Sequence, residues 1–63
     1  MTYRVYLSAR PRAPETAHRE PLGYVDILAE CEHTACERAK IQAIAKWWGS
    51  YKDLCISKIQ FLR

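Results

Sequence analysis

Sixty-three residues leave room for one domain with one small core, and a chain of this size buries only about 60% of the surface its unfolded form exposes. An apolar share of 49% with 27% charged residues is ordinary globular composition, not disorder. A net charge of +3 is too mild to mark a dedicated nucleic-acid binder. No apolar run approaches the roughly 20 residues that a membrane span requires, and the opening MTYRVYLSAR has no hydrophobic signal core, so the expected location is the cytoplasm.

The first element is YRVYLSA. Tyr3, Val5, Leu7 and Ala9 share one parity and Arg4, Tyr6, Ser8 and Arg10 the other, the period of a strand with one buried face. A proline- and arginine-rich segment at about 10–22 follows. It holds Pro11, Pro14 and Pro21 with Arg10, Arg12, Arg19 and His18, and it reads as a connection of about twelve residues. Hairpin loops usually have two to five residues, and a loop this long in a small domain is either functional or disordered. Proline lowers the entropy lost when such a segment adopts one bound shape. Arginine supplies a planar, multidentate donor for carboxylate or phosphate. These residues are expected to form a recognition arm for an acidic protein surface or a nucleic-acid channel.

LGYVDILAE reads as the second strand, with Val25, Ile27 and Ala29 on one face and Tyr24, Asp26 and Leu28 on the other. CEHTACERAKIQAIAKWWGS is helical: Ala35, Ala39, Ala43 and Trp47 recur every four residues, with Ile41, Ile44, Ala45 and Trp48 in adjoining positions. Two starts are open. Thr34 with Glu37 makes a capping box; alternatively Cys31 sits at the turn and Glu32 opens the helix against its positive end. Gly49 is placed as the C-terminal stop. LCISKIQFLR reads as a third strand whose alternation slips, since Leu54 and Ile56 share one parity and Ile59 and Phe61 the other. A bulge near Lys58, or burial on both faces, accounts for that.

The expected fold is therefore α+β, in the order β-β-α-β. It is a single domain over residues 1–63, a three-stranded antiparallel sheet with the first strand central and the helix on one face. The alanine row permits close approach of helix and sheet. The other sheet face is left to water, to a partner or to a second copy in a homodimer.

ILAECEHTACERAKIQ, Ile27 to Gln42, resembles a strand-to-helix pattern of very small phage proteins, a strand ending I-x-A-E before a helix with A-x-E-x-A. With the chain's length and element order, it resembles the early podophage inhibitors of bacterial RNA polymerase. The resemblance implies a small non-enzymatic protein that binds and blocks a large host machine, the style also of anti-CRISPR proteins. The arginine pair that the family presents on its last strand corresponds here to Lys58 and Gln60. The acidic strip of those inhibitors has no counterpart in this net basic chain.

The chemistry-bearing residues point the same way. Gly23 and Gly49 stand alone, so there is no phosphate loop, and three strands with one helix offer little from which to build a desolvated catalytic pocket. No enzymatic activity and no cofactor are expected. Cys31, Cys36 and Cys55 are an odd number of thiols, which argues against a disulfide framework. With His33 they have metal-ligand chemistry, but the C-x-H-x-x-C spacing lacks a C-x-x-C knuckle, so no metal is assigned. Neighbours on a helix point about 100° apart, so of the two tryptophans Trp47 is expected in the core and Trp48 available to a partner. Arg10, Arg12, Arg19 and Trp48 are thus the candidate partner-binding residues, because arginine and tryptophan dominate binding energy at interfaces. The alternative is RNA or single-stranded DNA on the outer sheet face, with bases stacking on Tyr6 and Tyr24 and phosphates met by Arg4 and Lys58.

Overall fold

The computed structural model describes residues 1–12, 18–47 and 49–63. It has strands β1 (Thr2–Pro11) and β2 (Glu20–Leu28), helix α1 (Glu32–Trp47) and strand β3 (Tyr51–Phe61), forming one sheet of order β2-β1-β3 with both pairs antiparallel. The β-β-α-β, α+β architecture is the one the periodicities predict. β1 is central, so its backbone groups find partners on both sides, and its alternation is complete in outcome: Tyr3, Val5, Leu7 and Ala9 are buried. Opposite them in register stand Ile27, Val25 and Gly23 on β2, and Phe61, Ile59 and Ile56 on β3.

The slipped alternation of β3 has a local cause. Tyr6 faces Lys58 while Leu7 faces Ile56, so Ser57 is an extra residue, and its hydroxyl donates to the Tyr6 carbonyl at 3.2 Å. This bulge, one residue from Lys58, turns Ile56 and Ile59 onto the same face although they lie three apart. A second irregularity lies between the Ser8–Cys55 and Arg10–Lys52 pairs, where Asp53 adopts φ 54°. Aspartate tolerates that left-handed backbone better than most side chains. In β2 the register shifts at Leu22, beside Gly23 at φ 121°, a conformation that favours glycine.

Helix α1 opens at Glu32, the second of the two starts the sequence allows. The Ala35 N–H donates to the Cys31 carbonyl at 3.0 Å, so Cys31 occupies the cap position and Thr34 lies within the first turn. Ala35, Ala39 and Ala43 form the buried row, each fully shielded against the sheet. Arg38 fastens the helix back to β2 through the Leu28 carbonyl at 2.6 Å. At its far end the helix stops at Trp47, just before Gly49, the stop the sequence marks. Gly49 is not in the left-handed region; the chain leaves the helix through a turn in which the Ser50 N–H donates to the Trp47 carbonyl at 3.1 Å. Trp47 is half-buried instead of core, with the Lys46 ammonium 4.8 Å from its ring centre. Ile41 and Ile44 are 68% and 49% exposed, because the alanine row alone meets the sheet and places them on the outward side.

No helix among the described residues is long and apolar enough to cross a membrane.

Candidate functional site

Both ends of the segment expected to be a free arm are strand. β1 runs through Arg10 and Pro11 and β2 starts at Glu20, so the connection shrinks to residues 12–19. Proline does not forbid this. Pro11 is the last residue of its strand, and Pro21 lies on an edge strand, where a missing N–H is tolerated. Pro14 lies outside the described residues, as does Trp48.

The consequence is that Arg10, Arg12 and Arg19 are gathered at one end of the sheet. Arg10 faces Lys52 directly across the β1–β3 pair, a like-charge juxtaposition that is unfavourable by itself. The carboxylate of Asp53 offsets it from 3.8 Å. Arg19 reaches from the start of β2 past the central strand and donates from Nη1 to the Asp53 carbonyl at 2.6 Å. The Arg12 N–H donates to the Ser50 carbonyl at 3.0 Å, which ties the exit of β1 to the turn before β3. Arg10 Nε is shielded from solvent and has no hydrogen-bond acceptor among the described residues. Four cations, Arg10, Arg12, Arg19 and Lys52, thus surround this end, against Asp53 and Glu20 among the described residues.

Lys52 and Asp53 are not legible as site residues in the sequence, where the third strand reads as starting at Leu54. The signal is weak. Tyr51 is a good strand former, but the bulge at Asp53 breaks the alternation that would link it to Leu54 and Ile56.

The outer sheet face does bring Arg4, Tyr6, Tyr24 and Lys58 together, but they engage one another. Arg4 makes a two-pronged contact with Asp26, Nε to Oδ1 at 2.9 Å and Nη2 to Oδ2 at 3.1 Å, and its guanidinium lies 4.1 Å from the Tyr24 ring centre. That pairing holds the Asp26 carboxyl below its ordinary range, the Arg4 hydrogen bond being the main cause, and raises Arg4. The Tyr6 and Tyr24 rings are 5.7 Å apart and tilted by 56°, and the Lys58 ammonium sits 5.5 Å from the Tyr6 ring centre. Tyr6 donates to Gln60 Oε1 at 3.5 Å. One face of each ring is therefore already met by a cation, and Arg4 is neutralised.

The thiols do not assemble. Cys55 lies on the outer face with its Sγ 3.5 Å from Ser8 Oγ, whereas Cys31 caps α1. Among the described residues no three histidine, cysteine, aspartate or glutamate side chains are placed to hold a metal ion. His33 pairs with Glu37 at 3.2 Å along the exposed helix surface. The Cys31 thiol is lowered from its ordinary range, chiefly by the Thr34 hydroxyl at 3.4 Å and then by the Thr34 backbone N–H.

Two grooves open on the surface. One, about 580 Å³, lies beside the start of α1 and is lined by Met1, Leu28, Ala29, Glu30, Thr34 and Arg38. The other, about 290 Å³, lies between the second half of α1 and the start of β3, lined by Arg12, Ile44, Tyr51, Lys52, Asp53 and Leu54. Comparison with protein-family models, curated proteins and solved structures finds no match.

Proposed function

We propose that this protein acts by binding, as a non-enzymatic inhibitor of the phage type that occupies an acidic surface of a bacterial macromolecular machine in the cytoplasm, such as a CRISPR effector complex or RNA polymerase. The observation that carries the reading is the convergence of Arg10, Arg12, Arg19 and Lys52 on one end of the sheet. Arginine in a fixed position loses less freedom on binding than arginine on a free arm, and its planar fork meets carboxylates two at a time. Direct nucleic-acid binding on the outer sheet face is less favoured, since Arg4 is engaged by Asp26 and both tyrosines already have a cation against one ring face.

The test is affinity capture from bacterial lysate with the tagged protein, with and without nuclease, alongside an Arg10/Arg12/Arg19→Ala variant whose circular dichroism matches the parent. Stoichiometric capture of one protein assembly that survives nuclease and disappears with the triple variant is the expected result. Capture unchanged in the triple variant overturns the reading. So does recovery of nucleic acid alone, which would move the site to Tyr6 and Tyr24.

A further inference from the structure

We propose that the outer edge of β2, over residues 23–28, pairs with the same edge of a second copy, so that two chains share one continuous six-stranded sheet. The inference goes beyond the binding reading above and uses a different surface. Leu28 pairs with Thr2 at one end of β1, whereas the arginines gather at the other. In the order β2-β1-β3, each outer strand has a neighbour on one side only among the described residues. One bond sets the direction of the main-chain groups in β2. The Ala29 N–H donates to the Met1 carbonyl at 2.9 Å, and antiparallel ladders alternate between bonded and non-bonded pairs. Ile27 and Val25 therefore bond to β1, while Tyr24, Asp26 and Leu28 turn their N–H and C=O groups away from it. In keeping with that, the Leu28 carbonyl accepts from Arg38 Nη1 at 2.6 Å. Such an edge is a template for another strand, and proteins blunt it with bulges, proline or lysine. β3 is blunted by irregularities at Ser57 and Asp53 and by Lys52 and Lys58. In β2 the register shift at Leu22 and Pro21 lie at one end, and the run GYVDIL carries none of the three.

The side chains suit a second copy. Only residues whose main-chain groups turn outward can face each other in bonded pairs, so Tyr24, Asp26 and Leu28 meet the same set of the other chain. Asp26 against Asp26 would oppose two carboxylates. In the register centred on Val25, Tyr24 instead faces Asp26 of the other copy, twice over. Arg4 balances that carboxylate through bonds of 2.9 and 3.1 Å, so no bare charge opposes the ring. On the helix side, half-buried Val25 faces its own equivalent, and Ile27 faces Gly23, around which the space is open. Leu28, 71% exposed, falls beside the register shift of the other β2. The two helices also fit. Their central strands lie three strand spacings apart, about 14 Å, and a helix with its side chains needs about 10–12 Å. The contact is isologous, so it closes at two chains.

The test is sedimentation velocity together with amide hydrogen exchange by NMR on the ¹⁵N-labelled protein, under reducing agent and from micromolar to millimolar concentration. The expected result is a species of twice the 7.4 kDa chain mass that grows with concentration, while the Tyr24 and Asp26 amides slow at least threefold. The Ile59 and Phe61 amides are the internal control: the Leu62 N–H donates to the Thr2 carbonyl at 2.8 Å, which turns those two toward the outer edge of β3, and they should not slow. Tyr24→Glu, at a position 47% exposed, sets a carboxylate opposite Asp26 twice and should weaken association at least tenfold. Tyr24→Lys offers Asp26 an opposite charge in the same register and should keep association within threefold of the parent. A monomer up to millimolar concentration overturns the proposal. So does slowing at Ile59 and Phe61 in place of Tyr24 and Asp26, or a dimer indifferent to Tyr24→Glu. The exchange experiment needs no variant, so it decides the matter even if Tyr24→Glu fails to fold.

Discussion

Leu7 and Leu28 are the same residue type on adjacent strands of one sheet, and they should respond to truncation in opposite ways. Leu7 is 1% exposed and, with Val5, one of the two largest fully buried side chains; Leu28 is 71% exposed. Leu7→Ala removes three carbons, a transfer loss of about 2.4 kcal/mol. A cavity cost adds to it, because the surroundings relax only partially. Here few of them can relax. Across the sheet Leu7 faces Gly23, which has no side chain, on one side and Ile56 on the other, and the helix presents an alanine row that cannot lengthen, so Ile56 alone of these can shift toward a hole. The total should reach about 3–4 kcal/mol, within the range found for buried leucines. A core this small supplies only about 3–5 kcal/mol. Urea denaturation followed by far-ultraviolet circular dichroism should therefore show Leu7→Ala with almost no folded baseline at 25 °C. Leu28→Ala should stay within about 0.5 kcal/mol of the parent. A loss below about 1 kcal/mol for Leu7→Ala, or equal losses for the two, would refute the assignment of the sheet faces.

Gly23→Ala should cost about 1–3 kcal/mol, because its φ of 121° strains any L side chain even though the space around it is open; Gly49→Ala, with no such backbone requirement, should be nearly neutral in the same urea assay. The Asp26 carboxyl titrates below its ordinary range in the folded protein, so its contact with Arg4 adds stability above the unfolded-state pKa and loses it as pH falls through the lower folded value. Carboxyl NMR titration should show Asp26 moving back up in Arg4→Ala, and an unmoved value would remove Arg4 as the cause. Cys31 should react with a thiol reagent faster than the half-buried Cys36 and Cys55, and Thr34→Val should slow it by raising its pKa; equal rates at the three thiols would count against that microenvironment.

The parts of this fold that are legible in the sequence are those where one face meets the core. Tyr3, Val5, Leu7 and Ala9 alternate because the central strand is packed on one side only, and Ala35, Ala39 and Ala43 recur because only a small side chain lets the helix lie close to the sheet. Even the slip in β3 is readable as a bulge, since Ile56 and Ile59 can share a face only if one residue is spare. The hidden parts depend on contacts between distant residues. Pro11 and Pro21 look like breakers until the sheet order shows one at a strand end and the other on an edge. Asp53 looks like a loop residue until its left-handed backbone is seen to turn Lys52 across from Arg10. Ile41 and Ile44 fit the helical period and give no sign of facing outward, because hydrophobic spacing records the helix and not which stripe the sheet covers.

The outward stripe bears on function. With only alanines under the helix, burying Ile41 or Ile44 instead would have enlarged a core that a chain of this size needs. Their outward placement, beside Arg12 and Lys52, gives up stability that the domain can scarcely spare. Arg10 and Lys52 also face each other, across the β1–β3 pair, with the Asp53 carboxylate 3.8 Å from Arg10. Local choices that oppose stability concentrate at functional sites. Here two kinds of them, apolar exposure and like-charge pairing, meet at one end of the molecule. Replacing Lys52 by glutamate separates the two demands: it converts the Arg10 juxtaposition into an attractive pair and should raise the urea midpoint, while weakening any acidic partner. A variant that gained stability without losing binding would show that Lys52 is no part of the binding surface.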